Sequence, residues 1–202
     1  MMDYTIGDHN PYSKMALGWI KDPILVELNK GESTEITIKP YEDNGDVIMI
    51  CDNFDESKGI FQNYFLLNLF TNTKLFEDEY EDFNIYNTGV RCYRALAELE
   101  NYNYDDNNNG LVYQYFKYDN SYTERNLLDV IRNSASSSGE YQTNIFTPKN
   151  KTPTAKSYDF FTKGSSRNYL YYDYNDKELS DYSFSVIRLS NKEATIKISR
   201  RK

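Results

Sequence analysis

Imidazole is nearly missing from this chain: His9 is the only histidine among 202 residues. A zinc site built from two or three imidazoles therefore cannot be assembled within it. Ser-His-Asp and Cys-His catalytic sets lose support for the same reason. Thiols are also scarce. Cys51 and Cys92 each end or interrupt an apolar run and have no partners spaced for a metal. They read as two buried thiols, with a disulfide as the alternative in an exported protein. Positive charge is in deficit, with 23 Lys and Arg against 31 Asp and Glu and a net charge of −8. That balance argues against a nucleic-acid binder, which must displace counterions from phosphates. No apolar run approaches the roughly 18 residues of a membrane-spanning helix, and no charged-then-apolar leader pattern opens the sequence.

What is present is an ordinary folded composition, 39 % hydrophobic and 27 % charged, on a length that allows one or two domains. Twenty tyrosines and twenty-two asparagines bias the chain toward strands and turns. Asn10 as N-cap, Pro11 at the first helical position and Gly18 as a stop predict a short helix that buries Met15, Leu17 and Trp19. After Pro23 the period becomes two. Ile24–Leu28 and Thr34–Lys39 read as strands, with Ile36 and Ile38 inward. Asn44-Gly45 suits a type I′ turn into a returning strand, Val47–Cys51.

Phe61–Phe70 reads as a central strand buried on both faces, followed by an acidic loop over Glu77–Asp82. Gly89–Tyr93 and Leu111–Tyr118 are further strand candidates. Thr123–Asn133 predicts a second helix, capped by Thr123 with Leu127, Leu128 and Ile131 on one face. Ser134–Lys156 is expected to be a long loop, and Tyr182–Leu189 with Glu193–Ser199 a final hairpin. The expected fold is mainly β: a two-sheet β-sandwich with a short N-terminal helix and one further helix. Asp105-Asp106-Asn107-Asn108-Asn109-Gly110 has oxygen ligands at alternate positions and a glycine sixth, as in the first half of a calcium loop. Asp105, Asn107 and Asn109 are thus candidate calcium ligands. Phe116 stands where the bidentate glutamate of an EF-hand belongs, so the competing reading is a polar turn between strands. The tyrosine run Asn168–Tyr174 could stack on a sugar or simply cover a core edge.

The opening MMDYTIGDHNPYSKMALGWI resembles the segment that follows the zinc-binding helix in secreted bacterial metallopeptidases of the immune inhibitor A type. The match runs through Met1, Met2, Asp3, Gly7, Asp8, His9, Asn10, Ser13, Lys14, Leu17, Gly18 and Trp19. Asn63–Leu67, Thr71–Leu75, Gly89–Tyr93 and Asp159–Gly164 resemble later segments of the same family. That family tends to carry His and Asp where Arg94 and Leu96 stand, and Glu where Asn68 stands. A zincin works through His-Glu-x-x-His on a helix, two imidazoles binding zinc while the glutamate activates water. This sequence does not contain the motif.

The resemblance therefore implies the C-terminal portion of a longer peptidase, extracellular, whose zinc sits in an upstream catalytic domain. Residues 1–22 would be a Met-turn and helix remnant of that domain, and 23–202 a β-sandwich-like domain. Met2 would be the structural methionine of the Met-turn. Tyr4 would stand where related zincins use a tyrosine to steady the tetrahedral intermediate, a candidate catalytic residue. His9 reads as a loop histidine near the Asn10 cap rather than a ligand. The partners implied are the upstream catalytic domain and protein substrates. A reading from another class is a free-standing extracellular β-sandwich module for glycan or protein.

Overall fold

The computed structural model describes residues 9–71, 88–104, 111–118, 127–131, 133, 160–167, 170–173 and 178–202. The chain's apolar stretch in the first half sets the architecture. It forms strand β4 (Asn63–Phe70), buried at every residue after Asn63. β4 lies in the middle of a five-stranded sheet ordered β1 (Ile24–Val26), β3 (Val47–Ile50), β4, β5 (Gly89–Leu96) and β8 (Leu128–Ile131). β1 runs parallel to β3, and the other pairs are antiparallel. A four-stranded sheet has the order β2 (Ser33–Ile38), β13 (Ala194–Arg200), β12 (Tyr182–Leu189) and β9 (Ser166–Arg167).

Alternation of side chains sends the two faces of β4 into two different cores. Phe65, Leu67 and Leu69 join Ile48, Ile50, Val90 and Cys92 against Ile38, Phe184, Val186, Ile196 and Ile198 of the four-stranded sheet. This is the sandwich interior, and the Phe161 and Phe184 rings meet edge-on within it at 4.7 Å. Tyr64, Leu66 and Phe70 point the other way, toward Val47, Met49 and Tyr93. That second core is roofed by Tyr12 and Met15 of helix α1 (Pro11–Ala16), by Ile20, and by Tyr41 of helix α2 (Tyr41–Asn44). Burial on both faces explains why the β4 sequence lacks the polar alternation of a half-exposed strand. α1 begins as expected, with the Asn10 side chain accepting from the Ser13 amide at 2.8 Å.

Several expectations need correction. The further helix is α2, not Thr123–Asn133. Leu128–Ile131 is instead strand β8, paired with Ala95 through Cys92 along the open edge of β5. Residues 123–126 lie outside the described part of the chain. The apolar spacing of Leu127, Leu128 and Ile131 suits a helix, but an unpaired sheet edge offers a ladder of backbone hydrogen bonds that outweighs it. The strands flanking Asn44-Gly45 do not form a hairpin. β2 pairs with β13 in one sheet and β3 with β1 and β4 in the other. Gly45, at φ 69°, is the left-handed cap that ends α2 and turns the chain from one sheet to the next. Leu17 and Trp19 are not buried by α1 but stand 55 % and 61 % exposed.

The final hairpin forms as expected, β12 against β13. A second hairpin pairs β6 (Leu99–Tyr104) with β7 (Leu111–Phe116). Within the Asn168–Tyr174 run, β10 (Leu170–Asp173) pairs with β11 (Glu178–Ser180), and Leu170 is fully buried. The Glu77–Asp82 and Ser134–Lys156 loops lie outside the described residues. Both cysteines are free and buried. Cys51 belongs to the core under the helices and Cys92 to the sandwich interior, opposite sides of the same sheet, so the disulfide alternative has no geometry.

Candidate functional site

At the end of the five-stranded sheet where β3 gives way to Cys51, a polar run, Asp52-Asn53-Phe54-Asp55-Glu56-Ser57-Lys58-Gly59, arches out before β4 begins. A tight turn shapes it. Asp55 Oδ1 accepts from the Ser57 amide at 3.0 Å and from the Ser57 hydroxyl at 2.6 Å, which also holds the Asp55 carboxyl below its ordinary range. Gln62, buried, fastens the turn from inside. Its amide nitrogen donates to the Asp55 carbonyl at 3.0 Å and the Gly59 carbonyl at 2.5 Å, while its oxygen accepts from the Asp55 amide at 3.0 Å. Asn53 adopts φ 114°, the one positive value among the described non-glycine residues.

Under this arch lies an open cleft of about 240 Å³ lined by Cys51, Asp52, Asn53, Lys58, Gln62, Asn63 and Glu98. Asp52 forms an anchored wall, 3.2 Å from Arg200 and accepting from the Ser180 hydroxyl at 3.3 Å. Arg200 in turn donates to the Leu28 carbonyl at 2.7 Å and lies 5.2 Å from the Tyr182 ring centre. Asn63 Oδ1 is buried at the cleft with no hydrogen-bond partner. On the opposite rim Lys117 is 3.5 Å from Glu98 and 3.6 Å from Glu100, and these carboxylates raise its pKa.

Burial, followed by the neighbouring Asp52 and Glu27 charges, pushes the Cys51 thiol up to about 11. It is therefore a protonated packing group at neutral pH, with its sulfur 3.5 Å from the Asn63 carbonyl. Cys92 is raised by burial as well. Among the described residues no three His, Cys, Asp or Glu side chains gather as a metal site. What the cleft offers is a set of fixed hydrogen-bonding groups around a thiol that stays protonated at neutral pH.

The chain has no match among family models, curated proteins or solved structures.

Met2 and Tyr4 lie outside the described residues, as do Asp105, Asn107 and Asn109. His9 precedes the α1 cap, its carbonyl accepting from the Tyr41 hydroxyl at 3.2 Å and its ring edge-on to Trp19 at 5.3 Å. The positions that depart from the resembled family are buried ones. Arg94 pairs with Asp129 on β8 inside the protein, and neither carboxamide atom of the fully buried Asn68 has a hydrogen-bond partner. Sequence reading missed the cleft. The available signal was the abrupt change from the apolar Val47–Cys51 run to eight residues rich in turn formers.

Proposed function

We propose that this chain is a non-catalytic β-sandwich portion of a secreted zinc metallopeptidase of the immune inhibitor A type. It braces the catalytic domain through the α1 segment and helps to position protein substrates. The zinc and its His-Glu-x-x-His helix would belong to that catalytic domain. The observation that supports this reading most is the placement of the motif residues of the opening segment. Asn10 caps α1, Lys14 is buried over the Tyr41 ring at 4.6 Å, and yet Leu17 and Trp19 stand 55 % and 61 % exposed. A helix this firmly seated, ending in an exposed leucine and tryptophan, presents the anchor type that dominates protein interfaces.

Trp19 is the only tryptophan, so its emission reports contact at this surface without labelling. Fused behind a catalytic half of this type, the chain should show a blue-shifted Trp19 emission and support gelatin digestion that is lost when the two motif histidines are replaced. Alone, it should neither digest gelatin nor bind zinc tightly in calorimetry. Sub-micromolar zinc binding with chelator-sensitive digestion by the chain alone would overturn the reading, as would an unshifted Trp19 spectrum in the fusion.

A further inference from the structure

We propose that the cleft under the 52–59 arch, continued by the tyrosine face of the β6–β7 hairpin, is a binding site for a neutral saccharide chain. The inference is independent of the peptidase reading. A volume of about 240 Å³ accommodates roughly eight waters, or one hydrated sugar ring, and is smaller than the usual drug-sized pocket. Its lining is polar apart from Cys51: the Gln62 carboxamide is already spent within the turn, while Asp52, Asn53, Lys58, Asn63 and Glu98 carry groups that can meet hydroxyls. Such groups can accept and donate to several hydroxyls of one ring at once. They are also held in place beforehand. Gln62 is locked into the turn, and Asp52 is tied to Arg200 and Ser180. A ligand would not have to order them on binding.

Two features select the ligand's chemistry. Asn63 lines the cleft and its buried Oδ1 has no donor within the protein, so a small rotation of the carboxamide toward the cleft would let a ligand hydroxyl supply one without bringing in charge. Lys58 lies 3.9 Å from Asp55 and Asp52 is 3.2 Å from Arg200, while the one Lys117 ammonium is shared by Glu98 at 3.5 Å and Glu100 at 3.6 Å, so the site keeps a slight negative excess. That excess repels an anion, and among the described residues no three carboxylates gather to hold a cation, which leaves a neutral polyhydroxyl compound.

The hairpin extends the site in one direction. Glu98, Glu100 and Lys117 share one face of it, as the two Lys117 contacts show. Register places Tyr115 opposite Glu100 on that face, with Tyr113 two residues further along. Tyr115 donates to Glu100 at 3.2 Å, and the two residues are 45 % and 53 % exposed in the order Tyr115, Tyr113. From Glu98 to the level of Tyr113 is four residues of strand, roughly 14 Å. A short oligosaccharide seated with one ring in the cleft would lay its next rings over these two tyrosines, the stacking geometry in which an apolar sugar face meets a π surface.

The test is calorimetric and NMR titration of the intact chain with maltotriose, triacetylchitotriose and, as an anionic control, sialyllactose. At least one neutral probe should bind saturably, with shifts confined to the 52–63 arch and to Glu98–Phe116, while sialyllactose does not. Asn63→Ala and Tyr113→Ala should each weaken that binding about threefold to tenfold, the worth of one hydrogen bond or ring contact. Circular dichroism of both variants should match the parent. Absence of saturation by both neutral probes up to roughly 10 mM, a regime in which even weak specific sites show curvature, would overturn the proposal. So would binding indifferent to both substitutions, or a preference for sialyllactose.

Discussion

The five-stranded sheet and the β6–β7 hairpin draw on similar residues, tyrosine, asparagine and aliphatics, and meet opposite fates. β4 is covered on both sides, and Tyr64 within it is fully buried with its hydroxyl bonded to the Ile60 carbonyl at 3.1 Å. In the hairpin, Val112, Tyr113 and Tyr115 are 57 %, 53 % and 45 % exposed. Phe116 touches the rest of the protein through ring contacts, 6.5 Å from Tyr12 and 6.1 Å from Phe61. The difference teaches where stability and recognition reside. A two-stranded ribbon has no core of its own and survives by leaning on one. Its outer face stays solvated, whereas every side chain of β4 after Asn63 is buried.

The largest effect should come from breaking the charge pair inside the sheet. Arg94 and Asp129 are cross-strand neighbours on β5 and β8, 1 % and 3 % exposed at the side chain. Arg94→Ala removes the counter-ion of a carboxylate in a low-dielectric interior, a loss of about 3–5 kcal/mol. Replacing both, as Arg94→Met with Asp129→Leu, should recover most of it, because no buried charge remains. Urea midpoints of the three proteins check this. A single substitution no worse than the double one would show that the pair is not sealed from water.

Alkaline pH probes the same contrast. Burial holds the protons on Cys51 (about 11), on Cys92 and Tyr64, and on Tyr12 (about 12), all above their ordinary values. In the unfolded chain the thiols ionise near 8.5 and the phenols near 10. Above about pH 8.5 the unfolded state therefore binds fewer protons than the native state, and stability falls as pH rises. Below that pH the contribution is fully present. For Cys51 the loss runs up to its native value of about 11, at roughly 1.4 kcal/mol for each unit of separation. Urea midpoints should thus be level from pH 7 to 8 and drop by pH 10. Thiol reagents should label both cysteines slowly at pH 8.

Much of this contrast was legible in the sequence, and its limits are physical. Burial of the Phe61–Phe70 run was readable from its lack of polar alternation, except that Phe61 stands 40 % exposed ahead of β4, and the β12–β13 hairpin from period two around Ser190-Asn191-Lys192. β8 was not, because Leu127, Leu128 and Ile131 satisfy a helical period, and only the free edge of β5 decides between the two. Sheet membership of β2 was equally hidden. Its alternation says that one face is buried but not which strand it pairs with, and β13 lies far along the chain. The cleft was invisible for the same reason. Asp52, Asn63 and Glu98 are brought together by register, and Asp52 is fixed by Arg200 at the far end of the sequence.

A middle-sized effect should follow from adding one methyl group at the start of β5. Gly89 faces Phe160, and a Cβ there would sit 2.7 Å from the Phe160 Cβ. That atom is the root of a buried side chain, not a flexible tip. The Phe160 ring is packed 5.4 Å from Phe70, with Arg91 over both rings. Gly89→Ala should cost about 1–3 kcal/mol, the range for overpacking a tight interior. An unchanged melting temperature would mean that the strand end yields.

The smallest stability effect is expected in the hairpin, and it sharpens the comparison most. Tyr113 is 53 % exposed. Truncation there removes a half-exposed ring from a two-stranded ribbon and no core contact. Tyr113→Ala should shift stability by no more than about 0.5 kcal/mol, as for surface positions generally. The same substitution is expected to weaken saccharide binding about threefold to tenfold, the loss of one ring contact. Measured together on one preparation, the urea midpoint and the calorimetric affinity separate the two roles. A large loss of stability with intact binding would place Tyr113 in the packing of the hairpin against the protein. A small loss of stability with weakened binding would leave the tyrosine face as the part of this molecule that is free to recognise something else.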